Sequence, residues 1–122
     1  MNGKQQQDLD ARTKAFALRI IRLYSALPKT TVAQVIGKQA LRSGTSVGAH
    51  YREARRAKSD PDFISKIEGG LQELDETAYW LELLGESGTV KTGRLQPLLI
   101  ETEELIAIFT TMAKKVKSRK KG

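Results

Sequence analysis

Few residues in this sequence could take part in acid–base or metal chemistry. His50 is the single histidine and cysteine is absent, which excludes thiol nucleophiles, zinc–thiolate sites and multi-histidine metal sites. Carboxylates are numerous between residues 59 and 86, where Glu68, Asp75 and Glu82 repeat every seven residues. This spacing is typical of the charged edge of a helix rather than of a catalytic pair. The sequence therefore predicts no enzyme, no metal and no cofactor.

The stretch Gly44 to Gly48 (GTSVG) is the nearest approach to a nucleotide-binding loop. It lacks the Gly-Lys-Ser/Thr ending of a P-loop, and no strand precedes it. The stretch is poor in intrinsic helix formers, so packing must hold it helical if it is helical. Its small side chains would then let another backbone approach closely.

His50 follows this stretch and lies beside the predicted core stripe, next to Tyr51. We interpret it as a hydrogen-bonded, partly buried group. A role as a ligand or a proton switch is the alternative.

Four segments with helical periodicity must position these residues, and they span about 9–27, 32–57, 60–84 and 94–116. Turn signals separate them, and no segment has the alternation of a strand. Short connections between long helices favour antiparallel neighbours. The predicted fold class is all-α, an antiparallel up-and-down four-helix bundle. We expect the bundle domain over 9–117, a disordered tail over 1–8 and a basic tail over 118–122.

Each segment has an apolar stripe that we expect in the core. The stripes are Leu9, Phe16, Ile20, Leu23 and Leu27; Val32, Ile36, Ala40, Val47, Tyr51 and Ala54; Ile64, Ile67, Leu71, Leu74, Ala78 and Leu81; and Leu95, Leu98, Leu99, Leu105, Ile106, Phe109, Met112 and Val116. Leu18 and Ile21 lie on the opposite side of the first helix. They are either a face buried against a second copy of the chain or scattered surface aliphatics.

The net charge of +7 is unevenly distributed: residues 29–58 carry +6, residues 59–86 carry −7 and residues 87–122 carry +5. The positive excess predicts an anionic partner. The candidate nucleic-acid-binding residues are Arg42, Arg52, Arg55, Arg56, Lys58, Lys114, Lys115, Lys117, Arg119, Lys120 and Lys121. In the alternative, the second-helix cations pair with the third helix and the tail aids solubility.

The first residues, MNGKQQQD, contain no apolar signal region, and no run approaches the roughly 18 apolar residues of a membrane span. Together with the absence of cysteine, this predicts a cytoplasmic protein.

Three motifs in fixed order are distinctive: LRSGTSVGAHYREA at 41–54, DFISK at 62–66 and ETAYWLELL at 76–84. They closely resemble the bacterial four helix bundle protein family. Its members include proteins encoded within intervening sequences of large-subunit ribosomal RNA genes and the related accessory variability determinant of diversity-generating retroelements. The resemblance covers roughly 9–117. It implies an up-down bundle, a homopentameric ring for several members and, for the retroelement branch, a nucleic-acid-binding partner of a reverse transcriptase. His50 stands where the family usually has Asn.

Two functional hypotheses follow. In the first, a homo-oligomer binds RNA or DNA non-specifically through its basic patches, which a ring would multiply. In the second, the oligomer is a protein-interaction scaffold or accessory subunit without direct nucleic-acid contact.

Overall fold

The computed structural model describes the backbone of residues 3–121 and the side chains of residues 8–119. This part of the chain forms four helices and no strand: α1 (Gly3–Ser25), α2 (Thr31–Arg55), α3 (Asp60–Glu86) and α4 (Thr92–Lys121). The all-α prediction is confirmed. The first and last helices extend beyond the predicted bundle domain 9–117. Helix α1 includes most of the predicted tail 1–8, and α4 includes most of the predicted tail 118–122. Met1, Asn2 and Gly122 lie outside the described residues, and the division into a domain and two tails stays a prediction.

Polar side chains fix where the two middle helices begin. Thr30 Oγ1 accepts a hydrogen bond from the Ala33 N–H at 3.2 Å, which caps α2. Ser59 Oγ accepts from the Asp62 N–H at 3.2 Å and caps α3, so the cap is Ser59 and Asp60 is the first helical residue. Each cap satisfies a backbone donor that the helix itself leaves unpaired.

Consecutive helices run antiparallel. Between α1 and α2, Ile20 lies against Gly44 and Thr13 lies against Gly48, so residue numbers rise on one helix as they fall on the other. The later helix pairs show the same reversed order in the contacts Ser43–Thr77, His50–Gly69, Gly70–Phe109 and Gly85–Leu95. The chain therefore alternates direction at each short connection, as an up-and-down bundle requires.

The first and last helices make few close backbone contacts and are linked by a charged side chain. Arg12 donates from Nε and Nη2 to the two oxygens of Glu101 at 2.8 and 2.7 Å, and from Nη2 to Glu104 at 2.6 Å. The hydrogen bond with Glu101 raises the pKa of the Arg12 guanidinium above its ordinary value. A bidentate, partly buried pair of this kind holds two elements in a fixed orientation.

The predicted heptad seam of α3 is confirmed as part of the core. Ile67, Leu74 and Leu81 are fully buried, and the seam residues between them are half-buried. One predicted core residue is wrong: Val32 is 53% exposed, and its neighbour Ala33 is buried instead. Each residue turns an α-helix by about 100°, so a one-residue error in phase moves a side chain from the core to the surface.

The segment from Ser43 to Ala49 is helical and lies in the middle of α2. A Cβ at Gly44 would lie 2.8 Å from Ile20 Cγ1, so α1 packs directly against the α2 backbone there. On the α3 side, Ser43 Oγ and Thr77 Oγ1 are 2.8 Å apart and both hydroxyls are buried. Close packing with satisfied hydroxyls thus compensates for poor helix propensity.

We expect Gly70→Ala to be less stable than the matched variant Gly93→Ala by about 1–3 kcal/mol, the usual range for overpacking. A Cβ at Gly70 lies 2.7 Å from Phe109 Cε2, whereas a Cβ at Gly93 meets nothing within 4 Å. Both variants gain helix propensity, so their difference reports mainly on packing. Urea denaturation followed by circular dichroism measures it. Equal stabilities would contradict the close approach of α4 to α3.

Candidate nucleic-acid interface

Four of the predicted nucleic-acid-binding cations are ion-paired within the bundle. Arg42 Nη2 lies 2.7 Å from Glu76 Oε1, and Nη1 lies 3.3 Å from Glu73 Oε2. The other pairs are Arg55 with Asp10 at 3.0 Å, Lys117 with Glu68 at 2.7 Å and Arg119 with Asp60 at 3.7 Å. Arg42 therefore pairs with the third helix, as the alternative interpretation expects, and Arg55 pairs with the first helix. Their role in nucleic-acid binding stays a prediction.

Five other predicted cations are exposed and have no ion-pair partner among residues 8–119. They are Arg52, Arg56, Lys58, Lys114 and Lys115, and we call this set the basic end. Antiparallel topology places it toward the end of the bundle where α2 and α4 finish, and the dipole of α2 favours the cation of Arg52 in its last turn. The side chains of the last two predicted residues, Lys120 and Lys121, lie outside the described part of the chain.

The opposite end of the bundle also carries exposed cations, at Arg22, Lys29, Lys91 and Arg94. There, however, the exposed carboxylates of Glu82 and Glu86 come from the last turns of α3. At the basic end the acidic first turn of α3 is already engaged. Its Asp60 faces Arg119, and its Asp62 accepts a hydrogen bond from the Lys58 N–H at 3.4 Å.

An open groove of about 1170 Å³ lies at the basic end, between the first residues of α1, the α2–α3 connection and the last turns of α4. Its apolar lining includes Leu9, Phe63, Ile108, Met112 and Val116. Its charged lining includes Arg55, Lys58, Lys115 and Arg119, together with the carboxylates of Asp8 and Asp60. The groove therefore joins an apolar surface to a mainly cationic rim.

A buried phenol and a partly buried ion pair lie beside this groove. Tyr51 is fully buried, its ring is 6.1 Å from that of Phe109, and Asp10 pairs with Arg55 next to it. Burial raises the pKa of Tyr51 to about 12; the Asp10 carboxylate also raises it, while Arg55 lowers it. The phenol therefore stays neutral through the physiological range.

His50 is partly buried, as predicted, and its ring lies over Gly69. Nδ1 is buried and has no hydrogen-bond partner within the described residues, so the predicted hydrogen bond is absent at that atom. The nearest carboxylates are Glu53, 3.9 Å from Nδ1, and Glu73, 4.0 Å from Nε2. Among the described residues, no three His, Cys, Asp or Glu side chains form a group that could hold a metal ion.

The predicted oligomer face of α1 is exposed in the single chain. Leu18 is 44% exposed and Ile21 is 41% exposed. Ile100 of α4 is also exposed. Exposure of large aliphatics fits a face that a second copy covers, but the single chain does not test this prediction.

The model of the 23S rRNA-intervening sequence protein family matches residues 6–111. The chain belongs to this family. A solved structure, a protein with unknown function from the S23 ribosomal protein family of Bacteroides thetaiotaomicron VPI-5482, is 36% identical in sequence and has a TM-score of 0.83. The similarity covers 89% of this chain and 97% of that one. No curated protein matches the chain significantly.

The family match divides the basic end. Arg52, Arg56 and Lys58 lie within the matched residues, whereas Lys114 and Lys115 lie beyond residue 111. The α4 part of the basic end therefore lies outside the segment by which the family is recognised.

In the described part of the chain, no helix is both long and apolar enough to cross a bilayer.

Two features of the structure were not predicted: the groove at the basic end and the ion pair between α1 and α4. Phe63 and Met112 belong to the groove, although Met112 is also packed against the core, as expected. The only sequence signal for the groove was the basic charge around it. The pairing of Arg12 with Glu101 joins residues 89 positions apart, and no local pattern indicates it.

We expect the free energy of unfolding to fall as the pH rises from about 10 to about 12, and Tyr51→Phe to reduce that fall. The folded state holds the phenolic proton up to a pKa of about 12, against 10.0 for the ordinary group, so the unfolded state loses its proton first. Urea denaturation at several pH values measures the change in each variant. Tyr79→Phe, which removes a 53% exposed phenol, is the matched control. Identical pH dependence in Tyr51→Phe and wild type would contradict the prediction.

Proposed function

We propose that this protein is a non-enzymatic, cytoplasmic homo-oligomer that binds RNA or DNA non-specifically through the basic end. The observation that carries the proposal is the set of five exposed cations without an ion-pair partner among the described side chains. Arg42 and Lys117 are paired with carboxylates of α3, whereas the five cations of the basic end have no such partner among the described side chains. Such a surface attracts phosphates and carries no means of reading bases by itself.

Removing charge from the basic end should weaken binding and its salt dependence. In the triple variant Arg56→Gln, Lys58→Gln and Lys115→Gln, we expect the slope of log K against log salt to become shallower by about 2–3, because each lost phosphate contact contributes about 0.7–0.9. Fluorescence anisotropy with a labelled RNA, titrated at several salt concentrations, measures the slope.

The matched control is the triple variant Lys29→Gln, Lys91→Gln and Arg94→Gln, which removes the same charge from the opposite end. We expect its slope to stay near that of the wild type. Equal losses in both variants would show that net charge alone drives binding. Absence of binding by the wild type at about 50 mM salt would overturn the proposal, because phosphate contacts are strong there.

Assembly is the second part of the proposal. The exposed aliphatics Leu18 and Ile21 support an interface along α1, and the expected assembly is a homopentameric ring, as the family resemblance implies. A ring would repeat the basic end once per subunit, which raises avidity without a new contact.

The double variant Leu18→Glu and Ile21→Glu should lower the particle mass measured by sedimentation while leaving helicity intact, because charges in an apolar interface are costly to bury. Val32→Glu with Val35→Glu is the matched control, since these α2 residues are 53% and 58% exposed. A wild-type monomer at high concentration would contradict assembly. Unchanged mass of the α1 variant would place the interface elsewhere.

A protein-interaction scaffold or accessory subunit is the second candidate function. It is favoured by exposed apolar side chains on the three helices other than α1, among them Val35, Tyr79 and Ile100. This candidate leads if the purified oligomer fails to bind nucleic acid at low salt.

A further inference from the structure

The groove at the basic end has an apolar floor that phosphate binding does not require. Phe63, Ile108 and Met112 line it and are only partly buried, so apolar surface is accessible there. Lys58 and Lys115 line the same groove and pair with no carboxylate within residues 8–119. Phosphates on a duplex surface need only the cations. The floor fits a ligand that carries an apolar group close to a negative charge.

An unpaired nucleotide has this combination, because each base has an apolar π-face and is joined through its sugar to a phosphate. Aromatic platforms beside cations are the usual means of holding single strands, with phosphates on the cations and bases on the rings. Phe63 supplies such a ring, and Lys58 and Lys115 line the same groove. The volume of about 1170 Å³ exceeds the roughly 300–1,000 Å³ of small-molecule pockets and leaves room for more than one base.

We infer that the groove binds unpaired bases of single-stranded nucleic acid, with Phe63 as the stacking platform and Lys58 and Lys115 on the flanking phosphates. The inference rests on the proposed function and narrows its substrate from nucleic acid in general to single strands. Bases within a duplex are stacked on one another, so they do not reach Phe63 unless the duplex opens.

Three labelled probes of equal length separate base binding from phosphate binding by the full chain: a single-stranded oligouridylate, the same backbone with abasic sites, and an RNA duplex. Fluorescence anisotropy at about 50 mM salt gives the affinities. We expect the oligouridylate to bind at least about fivefold more tightly than the abasic strand, which is the lower bound for one stacked base.

Phe63→Leu keeps an apolar side chain of similar size and removes the aromatic face. It should remove the advantage of the oligouridylate over the abasic strand, and Phe63→Tyr should retain it. Lys58→Gln with Lys115→Gln should weaken binding of all three probes. If Phe63→Leu fails to fold, photo-crosslinking of a 5-iodouridine strand to the wild type provides the test. Crosslinks at Phe63 or Met112 support the inference, and crosslinks confined to other helical faces overturn it.

Failure of the inference and failure of the proposed function give different results. Equal binding of all three probes by the wild type overturns the groove inference and leaves the proposed function standing. No binding of any probe overturns both. An acidic amphipathic peptide, which carries apolar groups and charges on separate side chains, is the competing occupant. Phe63-dependent binding of such a peptide with no binding of the oligouridylate also overturns the inference.

Discussion

The bundle depends on the small residues that α2 and α3 present to their neighbours. At Gly44 and Gly70 there is no space for a Cβ, because Ile20 and the ring of Phe109 occupy it. Helices that approach this closely bury their large side chains in interdigitated contacts, and those contacts give most of the stability of a helix in a folded protein. Ser43, next to Gly44, and Thr77 of α3 satisfy each other, so neither of these buried hydroxyls is left unpaired.

This packing also decides which charges remain available. Antiparallel pairing of α2 with α3 brings Arg42 within reach of Glu73 and Glu76, and antiparallel pairing of α3 with α4 does the same for Lys117 and Glu68. These pairs are largely exposed and contribute little to stability, about 0–1 kcal/mol each. They nevertheless neutralise Arg42 in the middle of the bundle and Lys117 near the end of α4. Near the basic end, Asp10 pairs with Arg55 and Asp60 pairs with Arg119, so these two carboxylates do not pair with its five cations.

The proposed oligomer face and the basic end are compatible with one another in space. Asp10 of α1 pairs with Arg55 and therefore lies at the same height along the bundle as the basic end. Leu18 and Ile21 follow it 8 and 11 residues later on α1. At a rise of about 1.5 Å per residue, the two sites are separated by roughly 12–17 Å. Neither Leu18 nor Ile21 lines the groove, so the proposed contact at these residues and the groove use different side chains.

Sequence patterns predicted the four helices, their antiparallel order and most of the core, including the seam of Ile67, Leu74 and Leu81. Helical periodicity and short connections are local properties, readable within a few residues. The ion pair of Arg42 with Glu76, the absence of such a pair at Lys58 within residues 8–119 and the place of Phe63 in the lining of a groove were evident only from the folded structure. Those outcomes depend on side chains from helices far apart in the chain, which no local pattern brings together.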